Sequence, residues 1–117
     1  MTPAKIVAAA ALEAKERYRD ANAIYAKVPK SSPLSWNARM RMADNLDRLG
    51  QTDDAVKMLR TLADERPDRE VPLIELGDVL RRPERYTEAA QAYTDAFAPI
   101  SHTDARHRTV FYASRTP

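Results

Sequence analysis

The sequence has no cysteine and only two glycines among its 117 residues. Without cysteine there is no disulfide, no thiolate zinc site and no thiol nucleophile, and the redox compartment is left open. Gly50 and Gly77 alone cannot write a phosphate-cradling loop, because the Walker and dinucleotide patterns both need glycines a few residues apart. No apolar run reaches the length of a membrane span, so membrane insertion is not expected. The most apolar stretch, Ile6 to Leu12, is mostly alanine and runs straight into Glu13, Lys15, Glu16 and Arg17. One lysine precedes it and no export cleavage site follows, so it reads as a mature or cytosolic segment, with the cytoplasm as default compartment. An excess of charge of one sign is also missing. Nineteen basic residues face 17 acidic ones, a net +2, which gives little attraction for nucleic acid.

What is present points to helix. Alanine, leucine, arginine and acidic residues are abundant and β-branched residues are few, a composition that gives up little freedom in a helix. The eight prolines then have to fall at helix edges, and all do in the segments predicted here, 3–17, 20–28, 33–49, 53–65, 71–82, 86–98 and 104–113. Thr2-Pro3 and Ser32-Pro33 each read as a hydroxyl cap followed by proline at the first helical position. Gly50 reads as a C-cap, and Thr52 or Asp53 as the next N-cap.

A shift of 34 residues lays the chain on itself. Leu12, Leu46 and Leu80 coincide, as do Ala21, Ala55 and Ala89. Ala9, Ala43 and Gly77 are all small, whereas Tyr25, Leu59 and Tyr93 are all large. Tyr18 matches Tyr86, and Pro33 matches Pro67. The copies occupy 2–35, 36–69 and 70–103, each a pair of helices. The small residues let the two helices of a pair approach, and the large ones fill the space towards the next pair. Residues 104–117 remain, as a terminal capping helix or the truncated start of a further copy. No pair can bury its apolar face alone, so the copies have to stack.

This period and this order of small and large residues resemble the tetratricopeptide repeat. The resemblance rests on Leu46, Gly50, Ala55, Leu59 and Pro67 in the second copy and on Leu76, Gly77, Leu80, Tyr86, Ala89, Tyr93 and Ala96 in the third. The first copy keeps Leu12, Tyr18, Ala21, Tyr25 and Pro33. The family's early tryptophan is replaced by Lys5, Arg39 and Leu73, and Trp36 stands three residues before Arg39. The resemblance implies an all-α, right-handed α-solenoid of three hairpins plus a C-terminal helix. It also implies a protein–protein interaction module whose first helices line a concave groove for a peptide or helix of a partner. The alternative is a scaffolding or regulatory segment of a larger enzyme or secretion or assembly machine.

Carried onto this sequence, the groove-facing residues are Ile6, Ala10, Glu13, Met40, Arg41, Asp44, Asp47, Ile74, Glu75, Asp78 and Arg81; among them Ile6, Met40 and Ile74 form an apolar stripe at a spacing of 34, flanked by Asp44 and Asp78. Packing between neighbouring first helices would account for the stripe equally well. One branch of the family holds chaperone C-terminal carboxylates with basic residues and asparagine. The matching places here are Ile6, Ala10, Asp44, Ile74 and Asp78, none basic, which argues against that ligand.

Nothing else carries chemistry. His102 and His107 flank Asp104 but suit solvated surface better than a metal site. The tyrosines and phenylalanines fall mostly at repeat-core spacing rather than as a base-stacking set. Arg81, Arg82, Arg85, Arg106, Arg108 and Arg115 are interrupted by acids and read as a solvated face. There is no nucleophile–base–orienter set, so no enzyme, cofactor or metal is expected. The expected partner is a protein or peptide, with a homodimer conceivable through residual apolar surface on the terminal helix.

Overall fold

The computed structural model describes residues 3–98. The predicted helix over 104–113, its capping role, and His102 and His107 lie outside the described residues. Within them the chain is all-α, a succession of helix pairs of the helical-repeat solenoid type with no strand among the described residues. The helices are α1 (Pro3–Ala14), α2 (Tyr18–Tyr25), α3 (Ser35–Arg48), α4 (Thr52–Glu65), α5 (Val71–Arg81) and α6 (Tyr86–Ala96). None is long and apolar enough to cross a membrane.

The turn inside each pair is the same object three times. Glu16, Gly50 and Glu84, successive steps of 34, have φ of 60°, 80° and 64°. Each follows a helix that closes with crossed hydrogen bonds. Arg17 N donates to Leu12 O at 2.9 Å while Glu16 N donates to Glu13 O at 2.9 Å. Gln51 and Gly50 repeat this on Leu46 and Asp47, and Arg85 and Glu84 on Leu80 and Arg81. This is the Schellman closure, which needs one left-handed residue just past the helix. It explains why α1 stops at Ala14 rather than at the predicted residue 17, and why α2 already begins at Tyr18. The second helix then opens the same way in the first and third pairs. Arg17 bonds Asp20 at 2.9 Å and Arg85 bonds Glu88 at 2.9 Å, each tying the residue before the helix to its first turn.

Two starts differ from the predicted ones. Ser32 does not cap α3. Its Oγ accepts from Leu34 N at 3.1 Å, which closes a turn around Pro33 and delays α3 to Ser35. The α4 helix includes Thr52 as its first residue, with Gln51 O accepting from Ala55 N at 3.1 Å.

The chain divides into two compact units, 1–58 and 59–117, with the division inside α4. In the first, α1 packs on α2 and α2 on α3. Its core is Ala9, Ala21, Tyr25, Val28 and Ala38, with Ile6, Leu12, Ile24, Leu34 and Met42 packed against it. In the second, α5 packs on α6. Leu76 and Leu80 are fully buried, and Gly77 lies directly beneath the Tyr93 ring, where a Cβ would overlap the ring carbons. Tyr93 therefore fills space inside its own pair, not only towards a next one.

Candidate functional site

The first unit holds a cleft of about 300 Å³ lined by Ala10, Glu13, Ala14, Tyr18, Arg41, Asp44, Asn45 and Arg48. The α1 helix supplies one wall, α3 the other, and Tyr18 at the start of α2 closes the end. Arg41, Asp44 and Arg48 stand three, four and seven apart along α3, so helical periodicity places them on one face.

One wall is fixed from below. Tyr25, buried on α2, donates its hydroxyl hydrogen to Glu13 Oε1 at 2.6 Å. The same Oε1 receives Arg41 Nε at 3.0 Å and NH2 at 2.7 Å, and Arg41 Nε also reaches the Tyr25 oxygen at 2.9 Å. One carboxylate thus joins three helices. Burial pushes the Glu13 carboxyl up, but hydrogen bonds from Tyr25, Arg41 and Asn45 and the Arg41 charge outweigh it and hold the group below its ordinary value. Burial, and then the neighbouring Glu13, push the Tyr25 hydroxyl from 10.0 up to about 12. Beside this triad, fully buried Asn45 donates from Nδ2 to Asn22 Oδ1 at 2.9 Å, and Asn22 donates to Met42 O at 3.3 Å.

The outer wall faces solvent. Arg48 Nε bonds Asp44 Oδ2 at 3.1 Å, and its guanidinium lies 5.6 Å from the centroid of the Tyr18 ring. The Arg41 and Arg48 side chains are 53% and 52% exposed and that of Asp44 is 45% exposed, whereas that of Glu13 is only 11% exposed. The reachable charge in the cleft is therefore mainly cationic, although its formal charges balance.

The sequence-predicted groove residues fall into two groups. In the first unit, Ile6 is half-buried against the core, Met40 is 8% exposed, and Asp44 is half-buried and engaged with Arg48. In the second unit, Ile74 is half-buried and Asp78 is exposed, accepting from the Tyr93 hydroxyl at 2.5 Å. Asp78 lines a separate cleft of about 420 Å³ with Arg81, Arg82 and Tyr86. Met40 thus presents packing rather than surface. Each of the two carboxylates already accepts from one neighbour through one oxygen, Asp44 from Arg48 and Asp78 from Tyr93, which leaves further acceptor sites on both. The carboxylate-binding positions hold no basic residue here, yet Arg41 and Arg48 enter the cleft from other places on α3. Arg48 had a sequence signal, its spacing of four from Asp44, but that spacing reads equally as a surface pair. The sequence already turns Glu13 and Arg41 towards the groove, but carries no sign of their junction through Tyr25, which joins residues 12 and 28 apart.

A family model described as tetratricopeptide repeat matches residues 8–72, more than half of the chain. No curated protein and no solved structure gives a match.

Proposed function

The chain belongs to the tetratricopeptide repeat family, and from that membership we propose that it seats a peptide or helix of a partner protein against the first helices of its repeats. The repeats of this family are generally protein-interaction modules. The observation that carries the proposal here is the cleft between α1 and α3, a preorganised wall with two half-exposed guanidiniums over it. The Glu13–Tyr25–Arg41 junction holds that wall before any partner arrives, so little ordering is left for binding. Ile6, half-buried against the core, and buried Met40 lie on the two helices that form the cleft walls, and Asp44 pairs with Arg48. Ile74 and Asp78 are the corresponding residues of the third repeat. An acidic side chain of the partner has two half-exposed guanidiniums to meet, Arg41 and Arg48, whereas a basic one has the single half-exposed carboxylate of Asp44. The segment recognised is therefore acidic on the side that faces α3.

A peptide array probed with the full chain tests this. Captured sequences should be enriched in Asp and Glu, and Arg48→Glu should remove their binding with helicity retained. Lys30→Glu, an exposed change away from the cleft, should leave binding intact. Capture that ignores Arg48→Glu, or that shows no acidic preference, would place the site elsewhere.

A further inference from the structure

Two helix faces carry exposed apolar surface. On α1, Ala4, Val7, Ala8 and Ala11 stand at helical spacing and are all exposed, Val7 to 67%. On α6, Tyr86 and Ala90 are exposed, as is Phe97 just past its end, the two rings to 61% and 74%. The 34-residue register says what these faces correspond to. Ala4, Ala8 and Ala11 occupy the places of Ala38, Met42 and Asn45 on α3, which are buried or half-buried. Tyr86 and Ala90 occupy the places of Tyr18 and Asn22 on α2. The α2–α3 contact is the repeat-to-repeat junction of the first unit. By register, the exposed faces therefore correspond to the two halves of that same junction.

The pairs across the known junction convert together. Asn22 bonds Asn45, and the register turns this pair into Ala90 and Ala11. Arg41 bonds Tyr25, and the pair becomes Val7 and Tyr93. Arg48 stacks on Tyr18, and the pair becomes Ala14 and Tyr86. At each position two polar or charged partners, or a cation over a ring, are replaced by a small apolar group facing a small or aromatic one. The Tyr93 hydroxyl already donates to Asp78 within its own copy, so seating Val7 against the ring leaves that donor satisfied. Either half alone would be an ordinary exposed surface, but the two match each other at each of these three pairs.

We propose that copies of this chain stack head to tail, with α6 of one copy seated on α1 of the next in the geometry of the α2–α3 junction. The contact is heterologous, so it propagates into a filament or closes into a ring rather than stopping at a two-fold dimer.

Single-face variants of the full chain test the arrangement. The wild-type mass measured by sedimentation should rise with concentration beyond that of a dimer. Ala11→Glu and Ala90→Glu each spoil one face at an exposed helical position, so each alone should remain monomeric with unchanged helicity. Mixed in equal amounts, they should form a one-to-one complex through their intact faces and grow no further. Ala11→Lys and Ala90→Lys repeat the test should either glutamate lower helicity. A wild type that stays monomeric at every concentration overturns the proposal, as it would if another segment of the chain covered α6. Association of Ala11→Glu by itself also overturns it, because that result indicates a two-fold contact through α6. So does a mixture that fails to associate.

Discussion

Glu16 and Glu84 hold positive φ where Gly50 does the same without a Cβ. A side chain in that region costs roughly 1–2 kcal/mol against the same residue in a right-handed conformation, and glycine escapes most of that cost. Both glutamates are exposed, so replacing them loses no packing. Glu16→Gly and Glu84→Gly should each stabilise the protein by about 1 kcal/mol, read as a higher urea midpoint at unchanged slope. Gly77 is the opposite case. A Cβ there meets the Tyr93 ring, so Gly77→Ala should destabilise by roughly 1–3 kcal/mol even though alanine favours helix. The Glu13–Tyr25–Arg41 junction adds a pH dependence with two limbs. The Glu13 carboxyl is lowered by folding, so its contribution is present above the ordinary value of 4.5 and is lost as pH falls through the folded value. The Tyr25 hydroxyl is raised by folding from 10.0 to about 12, so its contribution is present below pH 10 and is lost as pH rises towards 12. Tyr25→Phe should cost about 1–2 kcal/mol near neutrality and flatten the alkaline limb of denaturation midpoint against pH. An unchanged alkaline limb would show that another group is responsible.

At the scale of the helices, the repeat places Ala55 where two helices need a small residue, and it is fully buried. Ala55→Leu should overpack that site and cost on the order of 1–3 kcal/mol, measured by thermal or urea unfolding. A change near zero would speak against the spacing of 34. Such positions were legible because close packing is written in side-chain size: Ala9, Ala43 and Gly77 are small for the same reason at each step. The turns were legible at Gly50 but not at Glu16 or Glu84, since glutamate carries no sign of a left-handed residue. The start of α3 was misplaced for a related reason. Ser32-Pro33 suits a helix N-terminus and a tight turn equally, and the hydrogen bond to Leu34 N decides for the turn. The groove stripe shows the larger ambiguity. Apolar residues one repeat apart can line a surface or support one, and the pattern is the same until burial is known. Met40 is buried, so Met40→Glu should lower the melting temperature and report on packing instead of binding.

On the scale of the whole chain, the same repetition that builds the fold also distributes its stability. Within the units α1 packs on α2, α2 on α3 and α5 on α6, all sequence neighbours, so opening is expected to be local before it is global. The two compact units, 1–58 and 59–117, contain different kinds of weak point. The first is held by a polar junction across α1, α2 and α3, and the second by the Tyr93 ring lying on Gly77. Tyr25→Phe should therefore raise hydrogen exchange mainly at amides of α1 to α3. Gly77→Ala should raise it mainly at amides of α5 and α6. Both variants lose a comparable amount of total stability, so the contrast between the two exchange maps carries the information, not the size of either effect. Should each variant loosen all six helices to the same degree, the chain opens as one cooperative block, and the repeat-by-repeat account of its stability is wrong.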